Sequence, residues 1–582
     1  MRPLSRLAAL SALLLNACYP PGDGKAPPLD EIYFPTGMEL SGLPAPELAA
    51  SEPRPAKLPA ASDFLYVVNS DFDLQYRSAS VISYDLKVLS DLIPKTCITD
   101  EDCEAVGKAC DSPNSTSLPP PTADRVPSYY CVARPESGAA EDIAPCGDLG
   151  ERDEADKVLY PGRCNSLEPN ATQDNGNVLK VGTVGIGAFA TDAILRCESR
   201  GTDGKCDGKS RLFIPVRGDS TLHWIDALPD GTFFCNQGGD DDTCDEGHRS
   251  GDTPADNIDH LKQPPEPFAL DASADGRFVV LTSQTTGSVS LFANDWQQES
   301  VKLVSIVNGL PLAPVGIAAI PEPTFPLTTQ KEEPGFLVTY RSAAQIDLLR
   351  VHETPPPDNG ESYTRYSIRR GGTVPINANS LGFDSRGIAI DDSQRRADYK
   401  SCLGDAVSCE TAADPAQCAI CLKNVRQPDV YVASRAPASM LVGTLGTDFN
   451  YVSGTNELPA FYDSIALTFG PSRVVLGKVR VRGNDYMDSD NRPYSLETRV
   501  FVVCFDSRRI FIYDPKRGSV EAIVSTGRGP HALAIDDARG LAYLGHFTDS
   551  YLGVISLDQR FPQSYAAIIA SIGTPKAPRS SK

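Results

Sequence analysis

The sequence is poor in the residues that mark most enzyme and nucleic-acid sites. It holds six histidines, two tryptophans and four methionines in 582 residues. None of the histidines stands in an H-E-x-x-H run or another close metal pair, which excludes the common helix-borne zinc site. No G-x-S-x-G turn and no phosphate-cradling glycine loop occurs, which removes the usual serine-hydrolase and nucleotide-binding plans. Basic residues are in deficit: 54 Lys and Arg face 76 Asp and Glu, for a net charge of -22. Acidic patches such as Glu141-Asp142 and Asp240-Asp241-Asp242 repel a phosphate backbone, and no basic stripe offsets them, so nucleic acid is excluded as a partner. No apolar run reaches the roughly 18 residues that a membrane-spanning helix needs.

Cysteine, by contrast, is abundant, with 16 in the chain. At the N-terminus Arg2 and Arg6 precede a short apolar run, Leu7 to Leu15, which reads as an export signal over residues 1–17 and not as part of the fold. Leu14-Leu15-Asn16-Ala17-Cys18 resembles the bacterial lipoprotein signal, with Asn16 where a smaller residue is usual. The resemblance implies lipid attachment at Cys18, and two or more acyl chains hold firmly at about 0.8 kcal/mol per buried CH₂. The expected setting is the bacterial cell envelope, at the outer membrane, with the membrane as a partner through the N-terminal lipid. Residues 18–30 are rich in Pro and Gly and read as a flexible tether.

Export implies an oxidising compartment, where disulfides are the default. Fourteen cysteines lie in polar stretches: Cys97, Cys103, Cys110, Cys131, Cys146, Cys164, Cys197, Cys206, Cys235, Cys244, Cys402, Cys409, Cys418 and Cys421. Their pairing is not readable from sequence, although proximity suggests Cys197–Cys206 and Cys235–Cys244. Cys418-x-x-Cys421 with Cys402 and Cys409 also has the spacing of a four-thiolate zinc site. Cys504, inside an apolar run, reads as a free buried thiol.

The body of the chain is repetitive. Gly529-Pro530-His531-Ala532-Leu533-Ala534-Ile535-Asp536 leads into Leu541-Ala542-Tyr543-Leu544-Gly545 and then Leu552-Gly553-Val554-Ile555. The same order recurs from Pro267, Pro314, Arg386, Ser464 and Thr191, and the first copy includes Leu65 to Asn69 and Ala79 to Asp85. Each copy holds short strand signals separated by turn residues. A four-stranded sheet with two apolar faces buries both only by radial packing, which predicts an all-β, seven-bladed β-propeller of four-stranded antiparallel blades. A pair of β-sandwiches, or a ring of six or eight blades, remains open at this level. The motifs Gly-Pro-His-Ala-Leu-Ala-Ile-Asp with Leu-Ala-Tyr-Leu-Gly, and Arg-Gly-Ile-Ala-Ile-Asp with Val-Tyr-Val-Ala-Ser, resemble those of YVTN-type propellers, the lactonase-like and surface-layer class. Residues 31–574 are expected to form one propeller with disulfide-rich insertions at about 92–180 and 393–427. Residues 575–582 are expected to be a disordered tail.

Taking the second strand of each copy as the axial one, the residue after its apolar run is Ser70, Arg217, Ser283, Arg341, Arg435, Phe505 and Phe547. Arg217, Arg341 and Arg435, with His546 beside them, then read as a basic mouth for an anionic ligand, unless loop carboxylates neutralise them. Asp485, Asp488 and Asp490 bunch hard oxygens in one loop, a possible structural calcium site lacking the length of an EF-hand. His531 reads as an ordinary strand start. No other cofactor is indicated. The expectation is a non-catalytic envelope lipoprotein that binds a protein or anionic glycan through one propeller face. The alternative is a metal-dependent, lactonase-like hydrolase or lyase with its site in the central channel.

Overall fold

The computed structural model describes residues 25–42, 54–118, 129–132, 166–173, 175–200, 205–236, 242–321, 333–355, 364–376, 383–404, 406, 409–446, 458–488 and 490–576. Cys18, the signal segment, Cys146, Cys164 and the last six residues lie outside this set.

The chain forms seven antiparallel meanders, each built on four strands hydrogen-bonded in chain order, with a short fifth strand, Arg249–Ser250, on the third strand of blade 2. The opening strands are Pro35–Leu40, Ile194–Arg200, Pro267–Ala272, Pro314–Ala319, Phe383–Asp391, Pro471–Met487 and Pro530–Asp536, and they head blades 1 to 7. Seven apolar clusters lie between neighbouring blades, one to each interface. In one of them Leu65 and Val67 of blade 1 meet Tyr543 and Val554 of blade 7, all fully buried. Both faces of every sheet are therefore covered. Each large apolar side chain so buried contributes about 1.5–3 kcal/mol, and no sheet could supply this alone.

The opening strand of each blade is the axial one, which corrects the sequence expectation that the second strand is. These strands approach so closely that a Cβ at Gly316 would sit 2.2 Å from the Arg386 carbonyl oxygen, and one at Gly387 would sit 2.7 Å from the Val474 nitrogen. Glycine at those points lets the ring close tightly. Blade 6 also opens later than the repeat suggested. Pro459–Ala466, which contains Ser464, is the last strand of blade 5.

Blades 1 and 7 are each complete in their own segment, so no strand is exchanged at closure. Side chains and an insertion seal the seam. Arg539 of blade 7 donates to the Ser62 carbonyl at 2.7 Å and the Ser90 hydroxyl at 2.9 Å. The insertion between the third and fourth strands of blade 1 sends Ser166–Leu167 to pair in parallel with the outer strand of blade 7. Its other part is tied by Cys97–Cys110 and Cys103–Cys131. It reaches blade 6 through Lys95–Asp490 at 3.1 Å and Arg492–Asp102 at 2.7 Å. A second insertion, in blade 5, is a pair of helices, Ser393–Leu403 and Pro415–Lys423, joined by Cys402–Cys421 and Cys409–Cys418. Cys197–Cys206 and Cys235–Cys244 are also bonded, and Cys504 is a free buried thiol.

Candidate active site in the central channel

One left-handed kink recurs at or shortly before the head of every axial strand. The residue there is Phe34, Phe189, Glu266, Ala313, Asp384, Gly470 or Gly529, and all seven have positive φ, from 45° to 86°. In six blades its carbonyl accepts the backbone N–H of the residue just past the second strand: Ser70, Arg217, Gln284, Arg341, Phe505 or Phe547, at 2.7–3.1 Å. The kink fixes one mouth of the channel. Five of the seven are not glycine, and each of those holds a left-handed backbone at a cost of about 1–2 kcal/mol. Their side chains, with those just past the second strands, line the rim.

The rim has two halves. The ionic half holds the arginines singled out by sequence, and each has a carboxylate partner. Arg217 pairs with Glu266 at 2.5 Å, Arg435 with Asp506 at 2.8 Å, and Arg341 with Asp384 at 3.7 Å. Asp384 also binds Arg386 at 2.6 Å. The basic mouth is thus largely neutralised, by partners that the kink positions supply in two of the three cases. His546 does not face a ligand either. It is fully buried, stacked on Tyr551 at 4.0 Å, and its Nε2 accepts the Gly527 N–H at 3.1 Å. Burial lowers its pKa to about 3 and keeps it neutral.

The aromatic half runs over blades 2, 1, 7 and 6. Phe72 lies 5.5 Å from Phe189 and 5.2 Å from Phe547, and Phe34 lies 5.2 Å from Phe547. Phe505 and the ring of His531 continue the arc, each about 6.2 Å from Phe547.

Inside the mouth, polar side chains of the axial strands converge. Arg473 of blade 6 reaches across the bore to Asp192 of blade 2 and makes an ion pair with it. Deeper, Arg196 of blade 2 pairs with Asp271 of blade 3 at 2.7 Å, and Asp271 also accepts the Ala319 N–H of blade 4 at 2.7 Å. These links stitch the inner ring. Glu39 of blade 1 differs, because among the described residues its side chain has no hydrogen bond or ion pair, although Arg196, Asp192, Arg473 and Asp271 all act on it electrostatically. It is only partly covered, so solvent in the bore reaches it. Its enclosure by protein raises its pKa to about 8, while Arg196 pulls the other way. His531, on the axial strand of blade 7, is driven down to about 3 by burial and by the Arg473 charge, so it is a neutral imidazole at pH 7. The site therefore offers one carboxyl that titrates near neutrality, one neutral imidazole and one fixed guanidinium.

These donors do not fit a divalent cation. Asp192 and Asp271 are committed to arginines, leaving Glu39 as the one unpaired channel carboxylate among them. The sulfurs of Cys97, Cys103 and Cys131 lie within 4.8 Å of one another and could hold a metal ion as thiolates. Here they are oxidised in two disulfides and sit in the insertion, away from the axial strands. The loop expected to hold calcium is charge-compensated: Asp485 pairs with Arg54, Asp488 with Arg560 at 2.9 Å, and Asp490 with Lys95 and Arg492 at 3.1 and 3.3 Å. Nothing there points to calcium.

Sequence reasoning missed Glu39, Asp192 and Arg473 and set His531 aside. A signal was present for part of the site: Glu39 and Asp271 are charges inside short, otherwise mostly apolar strands, where a charge survives only with a partner or a wet channel.

No protein-family model matches the chain, and no curated protein matches it in sequence. Several solved structures match it over most of their length. A candidate 6-phosphogluconolactonase from Bacteroides uniformis is 10% identical, with 81% of this chain and 85% of that one covered at a TM-score of 0.38. The periplasmic gluconolactonase of Pseudomonas aeruginosa is 11% identical, with 85% and 96% covered at a TM-score of 0.36. At these levels the likeness carries no argument about activity.

The expectation of a non-catalytic binding face is therefore corrected. Its arginines are neutralised, its histidine is buried, and the chemically distinctive groups lie in the channel instead.

Proposed function

We propose that the protein is a hydrolase that opens a carboxylic ester or lactone in its central channel. Glu39 carries the reading: it is a solvent-reached carboxyl with no partner, amid charges that are otherwise paired. A base whose pKa lies near the working pH is the most effective. Ionised Glu39 takes a proton from a channel water as the water oxygen bonds to the carbonyl carbon. Arg473, braced by Asp192, and the N–H of neutral His531 hold the oxygen that becomes negative. The carbon–oxygen bond to the leaving alkoxide then breaks, and the alkoxide takes the proton back from Glu39. Each group begins and ends the cycle in the same state. The names of the similar solved structures accord with this chemistry.

Hydrolysis of δ-valerolactone and dihydrocoumarin, followed in a pH-stat, tests the reading. The rate is expected to rise with pH through about 8 and then level, because the base must be ionised. Glu39→Gln is expected to lower kcat by about 10²–10⁴-fold. Unchanged turnover in that variant overturns it.

The site of action is the cell envelope, where lipid on Cys18 tethers the ring to a membrane. Labelled palmitate is expected to enter the wild-type protein. Cys18→Ala should lose the label and leave the membrane fraction, and equal labelling refutes the anchor.

A further inference from the structure

The phenylalanines of the aromatic half have no role in the chemistry above, yet they are maintained against two costs. Phe72 is 48% exposed, which leaves a large apolar side chain facing water. Phe34 and Phe189 hold φ of 45° and 63° at kink positions that blades 6 and 7 fill with glycine. Glycine there would relieve the strain, so the retained rings point to a use for the side chains.

The arc is continuous with the reacting groups. Phe505 and Phe547 meet the His531 ring near edge-on, at 84° and 68° and centroid distances of 6.3 and 6.2 Å. His531 in turn feels the charge of Arg473. A substrate seated with its carbonyl at Arg473 and His531 therefore lays its next few atoms on Phe547 and Phe72.

The composition of the arc selects the chemistry of those atoms. Phe34, Phe72, Phe189, Phe505 and Phe547 carry no polar atom, so they can cover a flat apolar ring but leave the edge hydroxyls of a sugar without hydrogen-bond partners. The rings meet at interplanar angles of 52° to 74°, leaving edges and faces for a further ring to complete the herringbone. We propose that this arc is a specificity platform for a flat aromatic ring fused or linked to the scissile ester, so that the preferred substrates are aryl lactones or aryl esters. This rests on the channel reading for its substrate, but not for its binding site.

Two measurements on the full chain separate the two ideas. The first is calorimetric binding of 3,4-dihydro-2-quinolinone, the lactam counterpart of dihydrocoumarin, which lacks the ester. Phe72→Ala is expected to weaken binding by about tenfold, Phe72→Leu by less, and Glu39→Gln to leave it intact. The second is the ratio of kcat/KM for dihydrocoumarin to that for δ-valerolactone. It is expected to exceed ten in the wild type and to fall toward one in Phe72→Ala, chiefly through KM. Phe72 is half exposed, so its truncation should leave the fold stable, which circular dichroism checks. If the lactam binds in this pattern but neither lactone is hydrolysed, the hydrolase reading fails and the platform stands. Lactam binding that is absent in the wild type, or equal in wild type and Phe72→Ala, overturns the platform.

Discussion

Glu39→Gln should stabilise the protein while it removes the activity. The folded pKa of Glu39 lies at about 8, above an ordinary value of 4.5. The fold thus favours the protonated carboxyl and opposes its ionisation. The wild type keeps its full stability below about pH 4.5, loses some as pH rises toward about 8, and loses no more from this group beyond that. At about 1.36 kcal/mol per pH unit the upper bound is about 5 kcal/mol. Solvent in the bore screens the group, so about 1–2 kcal/mol is the expected size. Glutamine has the same shape and does not ionise. Urea unfolding at pH 5 and pH 9 measures the effect. The two proteins should have nearly equal midpoints at pH 5, and Glu39→Gln should be the more stable at pH 9. Parallel pH profiles would show that Glu39 ionises freely, and the argument for a poised base would go with them.

Arg211 gives a contrasting case. It is fully buried between Trp224 and Trp296, with its guanidinium 4.1 and 5.2 Å from their rings, and bonds Asp226 at 2.6 Å and Asn294 at 2.6 Å. Arg211→Ala strands the Asp226 charge and should cost about 3–5 kcal/mol in urea unfolding; a loss under about 1 kcal/mol would contradict the burial. The insertion over the closing seam is tied by Cys103–Cys131, whose removal by paired Cys→Ser changes should cost about 2–4 kcal/mol if that insertion is ordered with the ring. Limited proteolysis near residues 95–132 should then accelerate before blade 3 is cut, and unchanged cleavage would show that the tie bears on neither.

The ring was legible because its cause is local and repeated. Each copy spells out short strands and turns, and a sheet with two apolar faces has few ways to bury both. The disulfide-bearing loops were legible for a similar reason, as cysteines in polar stretches too thin to build a core. The functional groups were harder because a meander looks alike from either of its inner strands. Taking the second strand as axial placed Arg217, Arg341 and Arg435 in alignment, and they do share a rim position. Their partners Glu266 and Asp384, however, come from the kink at the head of the axial strand, a position whose left-handed backbone leaves little mark in sequence when glycine does not fill it. The Arg473–Asp192 contact joins residues 281 apart in sequence and belongs to no repeat-to-repeat relation, because it crosses the bore. Blade symmetry is what made the fold readable. The site arises where that symmetry is broken: each blade brings a different residue to the axis, and only closure of the ring makes Glu39, Arg473 and His531 neighbours.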